Sequence, residues 1–202
     1  MPRTRREADD LHGNVPDSAP AALILIDVIN DLDFPGNDEL VRKAASLGRT
    51  IAALKARCRK AGIPAVYVND NRGKWRSDFR AVLAHCRRPE SLGHPLVQAL
   101  IPGLDDYIVL KPKHSAFHAT PLDTIMSYLK TKTVILTGLT TSACVLLTAG
   151  EIYIRDLKLY VPSDCVAGLH SQDHRRALDL MRISFRAVTT PSRNLNLRSL
   201  TR

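Results

Sequence analysis

"AALILIDV", residues 21–28, is an apolar run interrupted only by Asp27. A strand with one wet face alternates apolar and polar residues. An unbroken run, bounded by Pro20 before and polar residues after, marks a strand buried on both faces, as in a parallel sheet with helices above and below. Similar short runs recur along the chain: "PAVYVND" (64–70), "YIVLK" (107–111), "TVILTG" (133–138), "LKLYVP" (157–162) and "AVTT" (187–190).

Between these runs the period changes. Leu40, Ala44, Leu47, Ile51, Leu54, Cys58 and Ala61 recur every three or four residues, forming one face of a long helix closed by Gly62 and Pro64. Further helices are predicted over 77–86, with Ser77 as N-cap, and over 94–101, 121–130, 142–155 and 171–184. Strand–helix alternation of this kind predicts an α/β fold. The expected architecture is a three-layer α-β-α sandwich around a mostly parallel, Rossmann-like sheet of five or six strands. One domain is expected over 20–191, between a flexible N-terminal tail (1–19) and a C-terminal tail (192–202).

The chain has 202 residues, 45% apolar and 24% charged, the balance of an ordinary globular domain. No run is long enough to span a bilayer, and "MPRTRREADDLHGNVPDSAP" lacks the apolar centre of a secretion signal. A cytoplasmic protein without membrane partners is expected. Cys58, Cys86, Cys144 and Cys165 are scattered without a CxxC pair, which argues against disulfides and zinc. The net charge is +9, but the basic residues are spread out, as in the helical series Arg42, Lys43, Arg49, Lys55, Arg57, Arg59 and Lys60. That is a solvated basic surface rather than a nucleic-acid footprint, and it draws anionic small molecules toward the protein.

In open α/β sheets, function gathers at the carboxyl ends of the strands. There the sequence places Asp27, the "NDNR" turn (69–72), Lys111 and the loop leading to Cys144. Each has an ordinary reading: Asp27 as a cap, Lys111 as a side chain reaching solvent, the two as an ion pair, Cys144 as a buried hydrophobe. Together they make a chemical set. Cys144 falls near the start of a helix, where amides and dipole favour a thiolate. A nearby ammonium lowers the thiol pKa further, a carboxylate takes its proton, and loop amides hold an oxyanion. A thiol pKa well below that of free cysteine is the expectation. Cys58 belongs to the helix core, Cys165 to packing, and Asp164 to a structural cap.

Three segments carry a resemblance: "LIDVINDLDFPG" (25–36), "VLKPKHSAFHATPL" (109–122) and "VILTGLTTSACVLLTA" (134–149). In this order they resemble the signature segments of the isochorismatase-like cysteine hydrolases, which include nicotinamidases, N-carbamoylsarcosine amidases and ureidoacrylate hydrolases. The resemblance implies catalytic Asp27, Lys111 and Cys144. It also implies a cis peptide at Leu139–Thr140 and an oxyanion hole from the Thr140 and Cys144 amides. Lys113 is the neighbouring competitor for the lysine role and is read as a loop residue.

Departures from the family pattern narrow the expectation. Ile29 and Leu32 stand where Gln and Phe are frequent, with Phe34 as the available aromatic replacement, and Ser142 stands where Asp or Asn is frequent. Nicotinamidases bind a metal through histidines after the second strand. Here that stretch, "YVNDNRGKWRSDF" (67–79), has no His, so no metal and no cofactor is expected.

The expected substrate pocket comprises Leu32, Phe34, Arg72, Trp75, Arg76, Phe117 and Leu139. In it Trp75 forms a wall, and Arg72 and Arg76 are candidates for holding a carboxylate. His114 and His118 are read as loop residues. The expected reaction is hydrolysis of a small amide, ureide or carbamoyl compound through a thioester, with Asp27 serving as base, then acid, then activator of water. The rivals are vinyl-ether hydrolysis of an isochorismate-type substrate and a non-catalytic binding protein on the same fold. The resemblance implies a homo-oligomer, dimer or tetramer.

Overall fold

The computed structural model describes residues 18–71 and 78–201. Six strands form one sheet: β1 (Ala21–Ile26), β2 (Ala65–Asp70), β3 (Tyr107–Lys111), β4 (Thr133–Leu139), β5 (Lys158–Tyr160) and β6 (Val166–Ala167). The order is β3-β2-β1-β4-β5, with β6 added to the far end of β4. These strands pair in parallel, β1 lying against β2 and β4 from Ala21↔Thr133 to Ile26↔Gly138.

The helices are α1 (Asp38–Lys60), α2 (Phe79–Cys86), α3 (His94–Ala99), α4 (Leu122–Tyr128), α5 (Leu146–Ile154) and α6 (Ser171–Ser184). They cover both sheet faces, and this explains the unbroken apolar run. Leu23 and Leu25 point into one core with Leu40, Ile51 and Leu54 of α1. Ile24 and Ile26 point into the other, with Met126 of α4, Ile152 of α5 and Met181 of α6. Every residue of β1 and β4 is buried. Among the described residues no helix is long and apolar enough to cross a membrane.

The structure differs from the expected elements in five places. The run 157–162 yields only Lys158–Tyr160 as strand, because the chain reaches Pro162, which has no amide to donate, and turns. It re-enters the sheet as β6, pairing Gly138↔Val166, in a segment expected to be loop packing. "AVTT" makes no strand; Val188 forms a single bridge to Tyr160. The stretch after 191 is packed rather than free. Leu195, Leu197 and Leu200 are buried, and Arg57 of α1 donates to the carbonyls of Ser192 and Leu195, both at 2.8 Å. Asp164 caps this stretch as expected for a structural role, accepting from the Ser192 amide at 2.7 Å and its hydroxyl at 2.8 Å. Asp78, not Ser77, is the N-cap observed at α2, accepting from the Ala81 amide at 2.8 Å; Ser77 lies outside the described residues.

Gly138 sets how closely β4 and β1 approach at the functional end of the sheet. Its φ is +114°, and a Cβ there would stand 2.0 Å from the Ile26 carbonyl oxygen. Gly138→Ala is therefore expected to destabilise the fold by about 3 kcal/mol or more, read as a lowered urea midpoint.

Candidate active site

β3, β1 and β4 end on the same edge of the sheet, with β2 between β3 and β1, and the residues at or after their ends meet at one point. Asp27 continues the β1 ladder by one residue, donating its amide to the Val68 carbonyl at 3.0 Å, and then leaves the strand with φ +51°. Aspartate is among the few residues that tolerate this conformation. Its Oδ1 accepts the Asp70 amide at 2.7 Å, and its Oδ2 lies 3.0 Å from Lys111 Nζ.

Lys111 is the last residue of β3 and is fully buried. Its Nζ also donates to the Lys113 carbonyl at 3.1 Å and lies 3.6 Å from Cys144 Sγ and 3.8 Å from Asp70 Oδ2. The Lys113 side chain is exposed, so only its carbonyl enters this cluster. Cys144 also shares a side-chain hydrogen bond with Asp27, and its sulfur lies 3.5 Å from His114 Nδ1. Asp27, Lys111 and Cys144, distant in sequence, are thus one contact cluster.

The loop before Cys144 has the form the resemblance implied: the Leu139–Thr140 peptide is cis. The helix expected from 142 instead opens as a π-helical turn, Thr141–Val145, before α5. Such turns are frequent at functional sites. The amides of Ala143 and Val145 donate to the Thr140 carbonyl at 3.1 and 3.2 Å. Thr141 is buried, and its hydroxyl meets His174 Nδ1 of α6 at 2.8 Å, tying the turn to a second helix.

The charges of the cluster correct one expectation. Burial raises the Asp27 pKa by more than Lys111 lowers it. Burial pulls Lys111 down, but Asp27, Cys144 and Asp70 together hold it above the usual lysine value. The Cys144 thiol, expected well below free cysteine, is pushed up to about 12, first by burial and then by the Asp27 charge, against the opposing pull of Lys111. A carboxylate in hydrogen-bond contact disfavours a second anion. These surroundings favour the thiol over a preformed thiolate.

Removing the cation tests how far the cluster supports the fold. In Lys111→Met the Asp27 carboxylate is left buried without its partner, and a loss on the order of 3–5 kcal/mol is expected. The raised Asp27 pKa fixes the sign. A buried acid with a raised pKa favours the fold in its protonated form, so the loss should be largest at alkaline pH and shrink on acidification. Urea midpoints of the variant and the native protein, compared at alkaline and at acidic pH, read it.

The sulfur faces a cavity of about 380 Å³. Of the expected pocket residues, Phe34 and Leu139 line it, with Asp27, Thr140 and Cys144. Leu32 and Phe117 do not. Leu32 is fully buried in the core beneath, its amide held by Asn30 Oδ1 at 2.8 Å. Phe117 is buried in the α4–α6 core, with the Arg155 guanidinium 4.2 Å from its ring centroid. Arg72, Trp75 and Arg76 lie outside the described residues.

The wall also contains Asn69, from the "NDNR" turn placed at the strand ends, and His114, with Asn30, Asp33, Val82 and Ala143, which sequence reasoning did not single out. Asn69 clips the β1 loop, donating to the Ile29 carbonyl at 2.7 Å and accepting the Ile29 amide at 3.1 Å. His114 is a loop residue, as expected, and its Nδ1 lies 3.5 Å from the sulfur.

Among the described residues no group of three or more His, Cys, Asp or Glu side chains is placed to hold a metal. The stretch 72–77, "RGKWRS", contains none of these residue types.

The isochorismatase domain model matches residues 21–192. The chain belongs to the isochorismatase family. It is 33% identical over 173 residues to the uncharacterized isochorismatase family protein YaaI of Bacillus subtilis, covering 85% of this chain and 94% of that one. It is 29% identical to the ureidoacrylate amidohydrolase RutB of Methylobacterium radiotolerans, over 88% of this chain and 83% of that one. Among solved structures, N-carbamoylsarcosine amidase from Thermoplasma acidophilum superposes with a TM-score of 0.65 at 24% identity, over 87% of this chain and 98% of that one. That last likeness establishes the fold: the isochorismatase-type α/β sandwich around a mostly parallel sheet.

Proposed function

We propose that this isochorismatase-family protein is a cysteine-dependent hydrolase that cleaves the carbon–nitrogen bond of a small amide, ureide or carbamoyl compound. The observation that carries the reading is the convergence of Asp27, Lys111 and Cys144 at the cavity floor, with Lys111 Nζ 3.0 Å from the carboxylate and 3.6 Å from the sulfur. In this reading Asp27 takes the thiol proton as the sulfur attacks the carbonyl carbon. Proton transfer and attack are coupled, because the thiol is not ionised at rest. The amides of Thr140 and Cys144 receive the developing oxyanion. Lys111 keeps the carboxylate oriented and balances the negative charge passing between oxygen and sulfur. Asp27 then protonates the leaving nitrogen, ammonia or a small amine departs, and water cleaves the thioester.

The hydrogen bond between Asp27 and the thiol favours this reading over vinyl-ether hydrolysis, which needs the carboxylate but no sulfur. The same reading includes a homo-oligomer. Exposed Leu147 and Ile154 on α5, with Leu180 and Ile183 on neighbouring α6, are apolar surface that a second copy would cover. The substrate is found by an ammonia-release screen over nicotinamide, carbamoyl amino acids, ureides, biuret and simple amides, with Cys144→Ala as the blank. Release by the native protein alone supports the reading. Equal release by the variant refutes it.

A further inference from the structure

We propose that His174 is a positioning residue for the oxyanion hole, holding through the Thr141 hydroxyl the turn that presents the Thr140 and Cys144 amides; this rests on the thioester reading above.

The turn has two tasks: it carries the sulfur, and it aims two amides at the carbonyl oxygen. The sulfur has neighbours of its own, Lys111 Nζ at 3.6 Å and the hydrogen-bonded Asp27 carboxylate. The amides depend on where the backbone of the turn lies. The bonds from the Ala143 and Val145 amides to the Thr140 carbonyl are internal to the turn, so they shape it without fixing it against the rest of the fold. The Thr141 side chain supplies that reference. It is fully buried, and among the described residues its hydroxyl has one hydrogen-bond partner, His174 Nδ1 at 2.8 Å. The Thr140 amide thus lies between two fixed points: Leu139, paired with Ala167 of β6, and Thr141, bonded to α6. Cys144 rides on the turn that begins at Thr141.

His174 is itself well placed to serve as an anchor. It is half-buried in the first turn of α6, whose start is tied to α1: the Ser171 hydroxyl donates to Glu39 Oε2 at 2.7 Å. Gly168 gives the ring room, since a Cβ there would stand 3.3 Å from the His174 Cβ. Burial and the Lys43 and Arg175 charges, against Glu39, hold the His174 pKa below the usual histidine value. The uncharged ring meets a hydroxyl in either tautomer, accepting its proton or donating to its oxygen. His174 does not line the cavity that the sulfur faces, so it acts through Thr141 rather than on the substrate.

Two reactions of the same sulfur separate the two tasks of the turn. Acetylation by p-nitrophenyl acetate passes through a tetrahedral oxyanion and needs the amides. Alkylation by iodoacetamide displaces iodide at a saturated carbon and forms no oxyanion. In His174→Ala, acetylation of Cys144, read as the nitrophenolate burst and in the peptide mass spectrum, is expected to slow by about 10-fold or more. Alkylation of Cys144 proceeds at the native rate, which also shows that the variant is folded. His174→Asn, whose side-chain amide can stand in for Nδ1, restores acetylation. Thr141→Val, which drops the hydroxyl, gives the same split, and adding His174→Ala to it costs nothing further. If His174→Ala does not fold, Thr141→Val carries the comparison. Failure of both to fold makes the bond a support of the fold alone and overturns the proposal. Unchanged acetylation in either folded variant also overturns it. So do alkylation that falls in step with acetylation, and His174→Asn behaving as His174→Ala. If the native protein never carries acetyl on Cys144, the nucleophile reading fails and this inference falls with it. That outcome differs from native acetylation that persists unchanged in His174→Ala, which refutes the inference alone.

Discussion

Cys144→Ala is expected to reduce substrate turnover by on the order of 10⁴-fold or more while leaving the fold intact. The size follows from the role: without the sulfur no thioester forms, and the oxyanion donors and binding surface supply only residual catalysis. The fold should tolerate the change, because Cys144 is only partly buried and borders the cavity rather than filling a core. Far-ultraviolet circular dichroism and the urea midpoint check the fold. The ammonia assay checks the activity.

Asp27→Asn should separate two properties that a preformed thiolate would keep together. The substitution removes the base, and turnover should fall by about 10²–10⁴-fold. It also removes the carboxylate charge that helps hold the thiol up at about 12, while the lowering pull of Lys111 remains. The thiol pKa should therefore fall, and alkylation of Cys144 by iodoacetamide at neutral pH should accelerate. Faster alkylation with slower hydrolysis is the signature of general-base activation at the moment of attack. In the native protein, turnover should decline on acidification from a pH above the ordinary carboxylate range, because burial raises the Asp27 pKa and only the ionised form accepts the proton. Cys144 should still be the first cysteine labelled, since Cys58, Cys86 and Cys165 are buried. Its advantage is access rather than acidity.

The parts of the fold legible in the sequence were those set by periodicity. In β1 every residue is apolar because alternate side chains enter opposite cores, Leu23 and Leu25 one, Ile24 and Ile26 the other. The helical face from Leu40 to Cys58 is legible for the same reason. β6 was not, because Val166–Ala167 is too short to show a period, and its pairing depends on where Gly138 happens to lie. The burial of Leu195, Leu197 and Leu200 depends on two carbonyls captured by Arg57, which nothing in the local sequence announces.

The site divides along the same line. Asp27 and Lys111 stood out as charges ending apolar runs, and the structure brings them to Cys144. The level of the thiol pKa did not stand out. A cation and a helix start are visible in sequence, whereas burial and a carboxylate in hydrogen-bond contact are properties of the assembled site. His114 was equally hidden. Its contact with the sulfur depends on the loop after Lys111 and the turn at Cys144 meeting in the assembled fold, 30 residues apart in sequence.

The central claim is that the Cys144 sulfur becomes bonded to the substrate carbonyl carbon. Acid quench of the native protein during turnover of a substrate found by the ammonia screen, followed by peptide mass spectrometry, tests it directly. The account predicts the acyl mass on the Cys144 peptide, none on Cys58, Cys86 or Cys165, and none at position 144 in Cys144→Ala. Sustained ammonia release with no adduct at Cys144, or turnover that survives in Cys144→Ala, would contradict it.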